Sequence, residues 1–235
     1  RDDASLHRCS AGPGGCARAS RHRWLRREPG YEERSDASLH RCSAGPGGCA
    51  RASRHRWGTR PLSKFDVNQA MKDGETPAHV AAQNGHTAAL ELLVKAGCDV
   101  NQADITGSTP AHFAAQFCHK AALELLVRAG CDVNQADDER RTPALVAAYM
   151  GRTAALGLLI DAGCDVNQAE GNGWTPAHFS AREGQTAALD LLVKAGCDVN
   201  QAERNGWTPA HFSAREGQTT ALDLLVKAGC DVNQA

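Results

Sequence analysis

Residues 76–103 read TPAHVAAQNGHTAALELLVKAGCDVNQA. Thr76 can cap a helix with its hydroxyl, and Pro77 suits the first helical position, where its missing N–H costs nothing. A short helix then runs through His79 and Ala81-Ala82 to Gly85, whose tolerance of positive φ suits a C-terminal stop. A second helix carries Leu90, Leu93 and Val94 at i, i+3 and i+4, widened by Ala89 and Leu92, and stops at Gly97. The polar DVNQA that follows is turn chemistry. The segment predicts helix, turn, helix and extended loop.

The same pattern returns with a fixed step. Cys98, Cys131, Cys164, Cys197 and Cys230 are evenly spaced along the chain, and Thr76-Pro77, Thr109-Pro110, Thr142-Pro143, Thr175-Pro176 and Thr208-Pro209 keep the same interval. Five tandem units fill residues 70–235. The last two differ only at Gly171 against Arg204 and at Ala187 against Thr220, the mark of recent duplication. A fixed period of this size signals a stack of units, none of which buries its apolar face alone.

The unit resembles the ankyrin repeat, whose period is 33 and whose core reads T-P-L-H-x-A. The resemblance implies an all-α ankyrin-repeat solenoid: two antiparallel helices and a β-hairpin loop per unit, stacked into a curved array with a concave face. Departures qualify the match. Ala78, Ala111, Ala177 and Ala210 replace the usual Leu, so the core should be lean. Cys118 and Arg140 stand where other units have Gly, and Leu145 replaces the His; those two units should be the weak points, since a non-Gly residue is strained at positive φ.

The resemblance gives His79, His112, His178 and His211 a structural role, each imidazole bonding the neighbouring Thr hydroxyl and loop backbone. Equivalent positions in stacked units lie on the order of 10 Å apart, too far for shared metal ligation or for disulfides. The repeated cysteines read as small buried apolar residues, and the Asp and Asn of DVNQ as loop hydrogen-bonders. No Walker loop, nucleophile elbow, HExxH or CxxC pair occurs. The sequence predicts no enzyme, no cofactor and no bound metal.

Function then falls to the concave surface, where variable side chains face a partner instead of a neighbouring unit. The positions that the resemblance carries over are Lys72, Asp73, Glu75, Gln83 and Asn84 in the first unit and Ile105, Thr106, Ser108, Gln116 and Phe117 in the second. The third unit gives Asp138, Glu139, Arg141, Tyr149 and Met150. The fourth gives Asn172, Trp174, Arg182 and Glu183, and the fifth Arg204, Asn205, Trp207, Arg215 and Glu216. Phe117, Tyr149, Met150, Trp174 and Trp207, with nearby Arg, have hot-spot composition. Against this, the duplicated Trp174 and Trp207 could simply pack on an adjacent loop. The expected partner is another protein, with no small-molecule substrate. A targeting or regulatory domain of a larger enzyme, a kinase or ubiquitin ligase, is the alternative.

Residues 1–57 are unlike the rest. They hold 12 Arg and no Lys against 6 acidic residues, whereas 58–235 hold 14 basic and 21 acidic ones. DASLHRCSAGPGGCARASRHRW occurs twice, from Asp3 and from Asp36, again at the interval of the later units. Back-translated and shifted by one base, the stretch permits TPLFIAAQQGQAAALELLVIGGCDVNQ. Since mostly the third base is free, recovering that order by accident is improbable. Residues 1–57 therefore read as two repeats translated out of frame, with the frame restored in the 58–69 junction, and their composition predicts disorder or poor packing. The competing reading is a basic arm that grips nucleic acid through Arg, Trp24 and Trp57. The spacing of His7, Cys9, Cys16 and His22 fits no common zinc finger.

Composition narrows the setting. No run of ~18–20 apolar residues is present to span a membrane, and the Arg-rich start lacks an apolar signal core. Ten cysteines in 235 residues fall short of a disulfide scaffold, which favours a reducing intracellular compartment, cytoplasmic or nuclear. The first Met is Met71, so the sequence reads as a fragment. Its uncapped terminal units are expected to make 66–235 marginally soluble.

Overall fold

The structure is a computed structural model that describes residues 66–231 and Asn233. All of these lie in the second of the two units into which the chain divides, Gly58–Ala235. The basic segment 1–57, with Trp24, Trp57 and the His7, Cys9, Cys16 and His22 set, falls outside the described residues, as does the junction up to residue 65.

Among the described residues, ten helices form five antiparallel pairs: α1 Pro77–Gln83 with α2 Thr87–Lys95, α3 Pro110–Gln116 with α4 Lys120–Arg128, α5 Pro143–Tyr149 with α6 Thr153–Asp161, α7 Pro176–Arg182 with α8 Thr186–Lys194, and α9 Pro209–Arg215 with α10 Thr219–Lys227. Every odd helix has seven residues and every even one nine. Helices this short are not stable alone in water, so the stack must hold them. In α3 all seven residues are buried, whereas α4 buries only the stripe Ala122, Leu123 and Leu126. The odd helices are the inner layer and the even helices an amphipathic outer one.

The Ala-for-Leu departures now have a geometric consequence. Ala78, Ala81 and Ala82, then Ala111, Ala114 and Ala115, then Ala144, Ala147 and Ala148 are buried in successive odd helices. Small side chains let the odd helices pack more closely on one another than the even helices do, and a stack that is tighter on one side curves toward it. Larger side chains fill the layer between: Leu90, Leu123, Leu126, Leu156, Leu159, Leu189, Leu192 and Leu225 are all fully buried, each contributing ~1.5–3 kcal/mol.

The loops that the ankyrin resemblance gives as β-hairpins are here reverse turns, with no strand among the described residues. Each loop is a reverse turn closed by its own backbone, as in Asp104 N–H to Ser108 C=O at 2.9 Å and Gly107 N–H to Asp104 C=O at 3.0 Å. Neighbouring loops share a single bond per step, Ile105 N–H to Asp73 C=O and Asp138 N–H to Thr106 C=O, too sparse for a ladder. Buried carboxylates organise the turns: Asp104 Oδ1 accepts from the Thr106 and Ser108 amides, and Asp137 Oδ1 from those of Glu139 and Arg141. At the other end of the unit, each DVN asparagine accepts the next unit's Asp N–H, as Asn101 Oδ1 does from Asp132 at 2.8 Å.

Among the described residues, two positions other than glycine carry a strained backbone. Cys118 and Arg140 have φ of 60° and 64°, in the left-handed region where their counterparts are Gly and an L side chain costs ~1–2 kcal/mol. Cys118→Gly and Arg140→Gly should therefore each stabilise the protein by roughly 0.5–1 kcal/mol, after the greater unfolded-state entropy of Gly is subtracted. Urea unfolding would show this as a higher midpoint at constant m; a lower midpoint would contradict it.

Candidate functional site

The surface at the loop ends of the odd helices is positioned by the histidines. In the first unit Nδ1 of His79 receives the Thr76 N–H at 3.0 Å and lies 2.8 Å from the Thr76 hydroxyl, while Nε2 meets the Ser108 carbonyl at 3.0 Å. An Nδ1 that accepts and an Nε2–H that donates define a neutral imidazole. His112 repeats the arrangement between Thr109 and the Arg141 carbonyl, and His178 between Thr175 and the Trp207 carbonyl. Each links its own helix start to the last loop residue of the next unit. His211 makes the same bonds to Thr208. In the third unit Leu145 leaves only its amide to cap on Thr142, at 3.2 Å.

Burial makes protonation of these rings costly. It pushes the imidazoles of His79 and His112 below their ordinary value and that of His178 down to about 4, against the weaker upward pull of the carbonyl each meets. The thiols move the opposite way. Burial, aided by an adjacent Asp, raises Cys131, Cys164 and Cys197 to about 11, so they stay protonated, poor nucleophiles. All five repeated cysteines are free, but only Cys197 is buried; Cys98, Cys131, Cys164 and Cys230 are half-buried against the core, a correction to the buried expectation. No cluster of three or more metal-binding side chains occurs among the described residues.

The predicted surface residues separate into three kinds. Lys72, Asn84, Ile105, Thr106, Phe117, Asp138, Glu139, Asn172, Glu183, Arg204, Asn205, Arg215 and Glu216 are exposed, and Asp73, Glu75, Gln83, Arg141, Tyr149, Met150, Trp174, Arg182 and Trp207 are half-buried. Ser108 and Gln116 are buried, at 0% and 7% exposure. Ser108 closes its own turn and Gln116 lies in the fully buried α3, so neither offers a surface to a partner. Arg141 is committed as well, bonded through Nε to Asp137 and through its other nitrogens to Asp137 and Glu139.

Geometry joins some of these residues and leaves others apart. Trp174 packs on Phe179 and Phe212 with ring centroids 4.9 and 4.3 Å away, and Trp207 packs on Phe212 at 5.2 Å. Tyr149 meets Phe179 edge-on at 5.3 Å. The Arg182 guanidinium lies over Trp174 at 4.9 Å and over Tyr149 at 5.9 Å, and Arg215 over Trp207 at 5.6 Å. The third to fifth units thus carry one connected row of aromatic rings and guanidinium planes. Phe117 instead stacks on His119. Phe179 and Phe212 were not singled out in the sequence, although their place directly after the repeated histidines His178 and His211 was the available signal.

A short helix pair with a reverse-turn loop, repeated at a constant interval and locked by a Thr–His cap, defines a class of repeat protein. The family model described as "Ankyrin repeats (3 copies)" matches residues 59–137, 96–170 and 144–235, and the chain belongs to the ankyrin-repeat family. A search of the curated proteins gives no match. The architecture is that of a non-catalytic protein–protein interaction scaffold. No helix among the described residues is long and apolar enough to cross a membrane.

Proposed function

We propose that this protein binds another protein through the concave side of a five-repeat ankyrin stack, with the ring and guanidinium row of the last three repeats as its centre. The observation that carries this is the connected set Tyr149, Trp174, Arg182, Trp207 and Arg215. Aromatic and Arg side chains held rigid by neighbours lose little entropy on binding and dominate interface energetics. Lys72, Asn84, Ile105, Asp138 and Glu139 extend the surface toward the first repeat. Affinity capture followed by titration tests the reading. Tyr149→Ala with Trp174→Ala should weaken the captured partner by about 30-fold or more, the scale of a hot-spot loss of ~2 kcal/mol, while the outer-helix change Lys194→Ala leaves it unaltered. Unchanged binding by the double variant rejects the concave-face reading.

Residues 1–57 belong to the same proposal as two further repeats read out of frame. The family match begins at residue 59, directly after the second copy of DASLHRCSAGPGGCARASRHRW. Sequencing the transcript across the codons for residues 1–67 decides it: TPLFIAAQ and LELLVIGGCDVNQ are expected, and native peptides containing CARASRHRW would refute it.

A further inference from the structure

The outer helix of the third repeat breaks a pattern that the other four keep. Glu91–Lys95, Glu124–Arg128, Asp190–Lys194 and Asp223–Lys227 are ion pairs one turn apart, whereas the corresponding residues of α6 are Gly157 and Asp161. Both replacements work against the helix. Glycine is the poorest interior helix former after proline, and an acid in the last turn reinforces the negative end of the helix dipole. The backbone does not require the glycine. Gly157 has no positive φ, and a Cβ there would meet Leu191 Cδ1 at 3.9 Å, an ordinary contact.

The space that a longer side chain at 157 would enter is a groove of about 460 Å³ on the outer layer. Ala154, Gly157, Leu158 and Leu191 give it an apolar lining, and the exposed Lys120 and Asp161 border it. Charge selects what the groove can take. Asp161 has no basic partner among the described residues. The cations at its position in the flanking repeats, Arg128 and Lys194, are each held by an acid on their own helix, so neither is free to neutralise it. Lys120 opens α4 and Asp161 closes α6. Because the even helices run the same way, a basic group marks one end of the groove and an unpaired acid the other. An occupant therefore needs an apolar group for the lining and a cation at the Asp161 end.

We propose that this outer groove is a second docking surface, which seats an aliphatic side chain of a partner protein over Gly157 and pairs the partner's adjacent Lys or Arg with Asp161. It lies on the even helices, whereas the aromatic row lies on the odd helices and loops, and it does not rest on the concave-face reading.

The test titrates the isotope-labelled full chain with hexylguanidinium, which carries the cation and the aliphatic chain of such a segment, and follows backbone amide shifts by NMR. Saturable shifts at Gly157, Leu158, Asp161 and Leu191 are expected. Hexanoate, the same kind of chain with the opposite charge, should bind at least fivefold more weakly. Asp161→Asn, a change at an exposed residue, should weaken hexylguanidinium at least threefold and leave hexanoate no weaker. Gly157→Glu with Asp161→Lys writes the pattern of the other repeats into α6. That variant should unfold at a urea midpoint no lower than that of the unaltered chain and should lose the shifts, which separates lost binding from lost folding. If it fails to fold, Asp161→Asn carries the test alone. Absence of saturable shifts at these amides overturns the proposal, as do shifts centred on Trp174 and Trp207 instead. Equal affinity for hexanoate, indifference to Asp161→Asn, or shifts that persist in a folded double variant overturn it as well.

Discussion

Acidification below pH 6.5 is expected to weaken the repeat stack progressively, with His178 alone accounting for roughly 3 kcal/mol of lost unfolding free energy once pH 4 is reached. His178 titrates at an ordinary 6.5 when unfolded and at about 4 when folded. Between those values the unfolded chain binds a proton that the native one does not. Stability from this group is therefore complete above pH 6.5, is lost as pH falls toward 4, and changes no further below both values. His79 and His112 are shifted in the same direction by the same burial and add to the slope. Structure explains the cost: a proton on Nδ1 would face the Thr175 N–H and hydroxyl that this nitrogen now accepts from, at 3.1 and 2.8 Å.

Urea unfolding of the full chain across this range measures the slope. His178→Leu, the replacement that the third unit already carries as Leu145, should flatten it by the share of one histidine; an unchanged slope would refute the assignment. Because the same imidazoles hold the carbonyls of Arg141 and Trp207, acid should loosen those two loops and leave the Trp174 loop, which lacks such a bond, less affected.

The second large effect lies in the middle of the stack. Leu156 in α6 is fully buried, and Leu156→Ala should cost about 3 kcal/mol within the 2–5 kcal/mol range for such truncations. A repeat array derives its stability from each unit plus its interfaces with neighbours, so a cavity in the third unit weakens the coupling on both sides. The unit has little reserve. It carries the strained Arg140 and lacks the histidine lock, and Gly157 stands mid-helix where the other units have Glu91, Glu124, Asp190 and Asp223, each paired with a basic residue one turn on. Leu92→Ala is the control, since that side chain is 69% exposed, and it should stay within about 0.5 kcal/mol. A shift in urea midpoint for Leu156→Ala no larger than the control's would contradict the central role of this interface.

The amino-acid sequence by itself determined the period, the helix pairs, the Thr-Pro starts, the glycine stops, the histidine caps and the two strained positions. The helix pairs, Thr-Pro starts and glycine stops follow from interactions within a few residues, i, i+3 and i+4 spacing and a φ that only glycine takes easily; the period and the two strained positions come from comparing the copies, and the histidine caps from the resemblance to the ankyrin repeat. Tertiary structure decided what happens between units. Ser108 looked like a loop residue facing outward, yet its turn folds under the His79 imidazole of the preceding unit, 29 residues away, and it is buried. Gln116 is buried at the end of α3, where Arg152 of the next unit, 36 residues away, reaches its carbonyl. Trp174 and Tyr149 look unrelated in the chain and are joined through Phe179 and the Arg182 guanidinium, while Phe117, which belonged to the same pattern, turns to His119 instead. Contacts between stacked units depend on how closely the odd helices approach, a distance set by alanines throughout the inner layer, and no local pattern around a single aromatic residue encodes it.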